Sequence, residues 1–202
     1  MTLGRDYFDR MYAESADPWE LASRWYEERK YGLTMAMLPA RRYGDGFEPG
    51  CSVGVLTARL AARCDRLLAC DGSAAAVSAA ARRTAGLPNV RVEQRSLPAQ
   101  WPPGRYDLIV LSEVLYYFGD ADLADVLRQA AAALLPGGTL IAVHWRHPVR
   151  EYPRTGDQAH EALRRQPDLA RLAAYEDADF VAEAFTAGGA PPASVAAADG
   201  LA

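Results

Sequence analysis

The chain reads as an α/β domain, a mostly parallel sheet with helices on both faces. Three observations predict it. From Tyr43 onward, strand-like and helical segments alternate until five strands are counted. The strands are short apolar runs, of which Tyr106 to Leu111 (Tyr-Asp-Leu-Ile-Val-Leu) is the clearest. The helical segments between them are about ten residues long, the length that βαβ crossovers need, and right-handed crossovers put helices on both sides of the sheet.

Ahead of the first strand, Asp17-Pro18-Trp19-Glu20 predicts a helix start. Asp17 can cap, Pro18 suits the first turn and Glu20 stands at the capping-box position. That helix is expected to run through Trp25, Tyr26, Arg29, Lys30 and Leu33 to about Leu38, with Trp25, Arg29 and Leu33 on one face. Residues 1–40 then form a helical cap.

The first strand ends near Glu48, and the turn Gly50-Cys51-Ser52-Val53-Gly54 opens a helix from Val55 to Ala62. Arg66 to Cys70 is a buried strand stopped by Asp71-Gly72, and Ser73 can cap an alanine-rich helix through Arg83. Val90 to Gln94 and Tyr106 to Leu111 are the next strands. Asp122 to Leu135 is helical and is expected to stop at Pro136-Gly137-Gly138, before a fifth strand, Thr139 to His144. Arg146 to Pro153 reads as a loop and Asp157 to Arg165 as a short helix. Ala170 to Tyr175 and Phe180 to Phe185 are expected to form a C-terminal antiparallel hairpin, which brings the sheet to seven strands. Residues 1–187 are expected to be one domain. The tail 188–202 has no apolar periodicity and is expected to be mobile.

Composition narrows the function classes. Of 202 residues, 50% are apolar and 24% charged, the balance of a globular chain and not of a disordered one. The net charge is -4 and no basic block stands out, which argues against a nucleic-acid partner. Apolar runs are strand-sized and the N-terminus lacks an apolar signal core, so neither membrane nor export is expected and the location is read as cytoplasmic. Cys51, Cys64 and Cys70 are too few for a disulfide framework. His144, His147 and His160 lack metal-ligand spacing, so no metal is expected.

The informative segment is Phe47-Glu48-Pro49-Gly50-Cys51-Ser52-Val53-Gly54. It follows the first strand, where open parallel sheets bind ligands. A dinucleotide fingerprint starting at Gly50 would need glycine at Ser52 and Val55 and fails at both. Acid-x-Gly-x-Gly-x-Gly fits better, with Ser52 at the middle glycine. That motif resembles the first motif of the class I S-adenosylmethionine-dependent methyltransferases. An acidic strand end, Glu48, suits a cationic sulfonium better than an anionic pyrophosphate. Asp71, 21 residues after Gly50, can accept both hydroxyls of a ribose, with Gly72 beside it; a helix-capping carboxylate ahead of Ser73 is the alternative. The third strand ends at Ser96-Leu97, where the family meets the adenine. Ser96 departs from the acid common there.

Further segments resemble the nodulation protein S (NodS)-like N-methyltransferases. They are Asp17-Pro18-Trp19, Trp25 to Tyr31, Glu48 to Gly54, Ser112 to Tyr117 and His144-Trp145-Arg146. The resemblance implies a Rossmann-like class I methyltransferase fold. It implies S-adenosyl-L-methionine as cofactor, S-adenosyl-L-homocysteine as product, and transfer of a methyl group to an amine of a small polar acceptor such as an amino sugar or glycoside. Transfer to oxygen, or a cofactor-binding protein without chemistry, are the alternatives. Carried over by residue, Glu48, Gly50, Ser52 and Gly54 make the cofactor loop and Asp71 and Gly72 the ribose site. Tyr26 and Arg29, with Lys30, are candidates for the methionine end, and Ser112 closes the cofactor side. Glu113 and His144 are candidate bases and Tyr117 a candidate to orient the amine. Tyr116, Trp145, Asp157 and His160 are candidate acceptor contacts, with Tyr152 as a further stacking face. The oligomeric state is left open.

Overall fold

Seven strands run in the order β3-β2-β1-β4-β5-β7-β6. The computed structural model describes residues 1–188 and 194–201. In chain order the elements are α1 (Arg5–Glu14), α2 (Trp25–Ala36), β1 (Tyr43–Pro49), α3 (Val55–Leu60), β2 (Cys64–Asp71), α4 (Ala74–Arg83), β3 (Val90–Gln94), β4 (Tyr106–Ser112), α5 (Asp120–Ala133), β5 (Leu134–Trp145), α6 (Gly156–Arg164), β6 (Leu169–Glu176), β7 (Phe180–Ala187) and α7 (Val195–Ala198). Strands β1 to β5 pair in parallel, and β7 inserts antiparallel between β5 and β6. The seven-stranded sheet with a C-terminal antiparallel hairpin is thus the fold the sequence predicts. Strand order reverses between β1 and β4, and ligands of such sheets bind beyond that point.

Alternation along β4 divides the core. Ile109 and Leu111 face α5 and α6 together with Phe47, Val126, Leu127, Leu140 and Leu163. Leu108 and Val110 face α2 and α3 with Tyr31, Leu56, Leu60, Ile141 and Val143. Both faces of β4 are covered, so its four central residues are fully buried, which explains its continuous apolar run.

Two boundaries differ from expectation. The helix expected from Asp17 begins at Trp25. The Asp17 carboxylate does accept backbone N–H groups, from Leu21 and Ala22, but it closes a turn there. Glu20 follows in the left-handed region (φ 55°), which a helix cannot continue through. The fifth strand begins at Leu134, five residues early, and runs through Pro136-Gly137-Gly138. Leu134 pairs with Tyr106 before a register shift, so the glycines form an irregular strand entry and not a stop. Of the tail expected to be mobile, residues 189–193 and 202 lie outside the described residues, and Val195–Ala198 form one helical turn. Among the described residues no helix is long and apolar enough to cross a membrane.

Candidate functional site

The turn after β1 is bound to the end of β2. The N–H groups of Gly50 and Cys51 both donate to the Cys70 carbonyl, at 2.7 and 3.0 Å. Gly50 adopts φ 72°, and a Cβ there would come within 3.2 Å of Val114, so the position favours glycine twice over. Ser52 is also left-handed (φ 49°). Its N–H donates to Asp71 Oδ2 at 3.0 Å, and the Ser73 N–H donates to Oδ1 at 2.9 Å. Each Asp71 oxygen therefore keeps a lone pair free. Burial raises the Asp71 pKa, against the pull of those backbone donors. Ser73 stands at the N-cap of α4, yet its hydroxyl donates to Asp9 of α1 and not to its own helix.

A cavity of about 480 Å³ opens over this turn. One end is lined by Glu48, Gly50, Ser52, Asp71, Gly72, Ser96 and Leu97. The other is lined by Tyr26, Ser112, Glu113, Tyr116, Tyr117, Trp145 and Tyr152. Helix α1 roofs the first end: Phe8 and Tyr12 line the cavity and the Tyr12 hydroxyl meets Ser52 Oγ at 2.5 Å. The spacing Phe8–Tyr12, one helical turn, was the sequence signal for that aromatic face.

Glu48 is not a surface acid. It is 2% exposed and accepts from the Thr57 hydroxyl at 2.6 Å. Burial pushes its pKa up to about 8, so at neutral pH without a cationic neighbour it is mostly the neutral acid.

The other end centres on Glu113, itself left-handed at φ 54°. Glu113 Oε1 meets Lys30 Nζ at 2.5 Å, and Oε2 accepts from the Trp145 N–H at 3.0 Å and from the Tyr116 hydroxyl. Lys30 Nζ also donates to Glu27 at 3.0 Å. Burial opposes charge on Lys30, but the Glu113 and Glu27 carboxylates outweigh it and hold its pKa above the ordinary value. Burial raises Glu27 in spite of Lys30. The Tyr26 hydroxyl is buried without a hydrogen-bond partner among the described residues, whereas Glu27 Oε2 also lies 3.0 Å from Lys30 Nζ; both residues line the cavity. Around these groups Trp145 meets the Tyr26 ring edge-on, while Tyr116 stacks on Tyr152.

Five of the sequence-predicted site residues lie outside the cavity lining. Arg29 points away and pairs with Asp177 at 2.7 Å and with the Tyr175 hydroxyl. Gly54 supports packing: a Cβ there would meet Ala80 Cα at 2.9 Å, so the glycine lets α3 and α4 approach. Asp157 is exposed and pairs with Arg146. His144 and His160 are fully buried behind the wall, bonded to each other. Sequence reasoning also passed over Glu27, whereas Lys30, carried over as a candidate for the methionine end, does line the cavity. Glu27 and Lys30 are both buried, while Trp25, expected to share a face with Arg29 and Leu33, is 75% exposed.

The profile of Nodulation protein S (NodS) matches residues 5–153. This chain belongs to the NodS family. Nodulation protein S of Bradyrhizobium diazoefficiens is 32% identical over 129 residues, 62% of this chain and 61% of that protein. The chain thus spans about three fifths of the length of the curated NodS relatives it matches. Among solved structures, a candidate methyltransferase of Pseudomonas syringae is 45% identical, with a TM-score of 0.73 over 81% of this chain and 99% of that one. The N-methyltransferase NodS of Bradyrhizobium japonicum WM9, solved with S-adenosyl-L-homocysteine, shares the fold at a TM-score of 0.82 and 23% identity, over 91% of this chain and 97% of that one.

Proposed function

We propose that the chain is an S-adenosyl-L-methionine-dependent methyltransferase that methylates an amine of a small polar acceptor. The observation that carries the reading is the division of one cavity into two ends. A glycine turn and a half-satisfied Asp71 lie at one end, and a carboxylate set among aromatic rings lies at the other.

The residues fit an adenosyl ligand. Asp71 would accept from the ribose hydroxyls with its free lone pairs, beside Gly72, which presents no side chain there. Ser96 and Leu97 would border the base. The orphaned Tyr26 hydroxyl is a polar group that a zwitterionic amino-acid end would satisfy. The NodS relative from Bradyrhizobium japonicum, solved with the demethylated cofactor, supports the same choice. When bound, the cofactor supplies an electrophilic methyl group on a sulfonium sulfur.

This chain's own residues do the rest. Glu113 is the acceptor-side base: an ammonium must shed its proton to present a lone pair, and Glu113 is a partly exposed carboxylate lining that end of the cavity. Tyr116, bonded to the same carboxylate, and Tyr117 orient the amine. The Tyr26 and Trp145 rings stabilise cationic groups through their faces. Phe8, Tyr12 and α1 exclude water over the turn, which favours an in-line displacement that depends on positioning. An ammonium can give up its proton before attack, whereas a hydroxyl has to lose its proton during attack, so an amine asks less of the site. The acceptor is a small molecule, with amino sugars and glycosides the first to try, and the setting is cytoplasmic. Calorimetric titration with S-adenosyl-L-homocysteine tests the cofactor end. A methyl-transfer screen of amino sugars against their hydroxyl analogues tests the acceptor end. Tight cofactor binding with no turnover on any amine would leave only a binding protein.

A further inference from the structure

Two buried histidines stand in line behind the acceptor wall. The Leu115 N–H donates to His144 Nε2 at 3.1 Å, His144 Nδ1 lies 3.0 Å from His160 Nε2, and His160 Nδ1 lies 2.7 Å from Glu183 Oε2. The three side chains are 0%, 0% and 1% exposed. Proton positions follow from the partners. An amide N–H can only donate, so His144 Nε2 carries a lone pair and its proton sits on Nδ1. That proton is donated to His160 Nε2, so the His160 proton sits on Nδ1 and is donated to Glu183. The line admits one arrangement, both rings in the Nδ1–H form, and neither ring can take a second proton while the line is intact.

Both ends of the line are anchored. Glu183 also accepts from Arg164 at 3.0 Å and Arg171 at 2.9 Å. Burial opposes its ionisation, yet His160 and the two arginines hold its pKa down at about 2. At the other end, Leu115 opens a short 3-10 turn, Leu115–Tyr117, whose own hydrogen bonds are long, 3.3 and 3.4 Å. Three consecutive residues of β5 hold this stretch instead. The Glu113 N–H donates to the Val143 carbonyl at 2.8 Å, the Leu115 N–H to His144, and the Trp145 N–H to the Glu113 carboxylate.

We infer that His144 and His160 are positioning residues. Their tautomer-locked line from Glu183 fixes the Leu115 amide and thereby the aim of Glu113 and Tyr116 into the cavity. The functional half of this inference rests on the reading of that cavity end as the methyl-acceptor site; the line itself does not.

The experiment has two arms on the full chain. In long-range nitrogen–proton correlation spectra of the wild-type protein, His144 and His160 should both be protonated on Nδ1 alone, with exposed His147, bonded to Asp179, as the third ring to be assigned. An Nε2–H signal or double protonation on either buried ring would overturn the inference. The second arm compares His160→Gln with His160→Leu. The glutamine amide can accept from His144 and donate to Glu183, whereas leucine can do neither. His160→Leu should speed exchange of the Leu115 amide roughly fivefold or more while S-adenosyl-L-homocysteine affinity stays within about twofold, and His160→Gln should restore slow exchange. On an accepted amine, kcat should fall in His160→Leu, where exchange is fast, and recover in His160→Gln, where exchange is slow. Wild-type exchange in His160→Leu would overturn the inference. So would a drop in cofactor affinity and melting temperature that glutamine does not rescue, because that is the behaviour of general fold support. The exchange pattern as expected, but turnover on no acceptor, would uphold the line and refute the acceptor reading.

Discussion

Lys30 Nζ lies 2.5 Å from Glu113 Oε1, across 83 positions of the chain. This ion pair joins the N-terminal cap to the end of β4, and with Glu27 it makes a triad of two acids and one base in which Lys30 and Glu27 are buried and Glu113 is partly exposed to the cavity. A buried ion pair is weak evidence for stability, since desolvation offsets much of the attraction. Its place at the wall of a cavity makes it a feature of the site.

Removing the cation tests that balance. Lys30→Met leaves the buried Glu27 carboxylate without a counter-charge and should destabilise the fold by about 3–5 kcal/mol. Adding Glu27→Gln should return part of the loss, which a double-mutant cycle in urea unfolding measures. Additive effects of the two changes would mean that Glu27 and Lys30 are not coupled.

Glu113→Gln keeps shape and removes the base. Turnover on an amine acceptor should fall by roughly two orders of magnitude or more. Cofactor affinity, measured by calorimetry, should stay near wild type. Equal loss of both would make Glu113 a cofactor ligand.

Asp71→Ala removes the acceptor offered to the ribose. Affinity for S-adenosyl-L-homocysteine should weaken by about 1–3 kcal/mol. Arg29→Ala is the paired control: its guanidinium is engaged with Asp177 and Tyr175 outside the cavity, so cofactor affinity should be unchanged. An Arg29 variant that binds as poorly as the Asp71 variant would contradict the geometry of the site.

Glu48 carries a pH signature. Its folded pKa is raised by burial from 4.5 to about 8. The sign follows: the folded state holds the proton more tightly, so this contribution to stability is full below 4.5 and is lost as pH rises through about 8. Urea unfolding at pH 5 and pH 8 should show a larger loss for wild type than for Glu48→Gln. Parallel curves would place the proton elsewhere.

The strands were legible because two-sided burial writes itself as unbroken apolar runs, as in β4. The glycine turn and Asp71 were legible because a tight turn at a strand end needs particular residues. The helix start was misread because Asp17 caps a turn as readily as a helix, and only the left-handed Glu20 distinguishes the two. Glu27 was passed over because a glutamate on a helix gives no sign of burial until Lys30 and Glu113 stand beside one another. The histidine line was invisible for the same reason. His144, His160 and Glu183 come from β5, α6 and β7, and no local spacing relates them. Asp157 and His160 share a helix, but one meets Arg146 at the surface while the other turns inward.

The central claim is that a nucleoside lies across the Gly50 turn with its ribose on Asp71 and its sulfur directed toward Glu113. A crystal structure of the protein with S-adenosyl-L-homocysteine tests it most directly. The account predicts ribose hydroxyls within hydrogen-bonding distance of both Asp71 oxygens and the thioether in the space before Glu113. Ligand density away from Asp71, or none at saturating ligand, would contradict it.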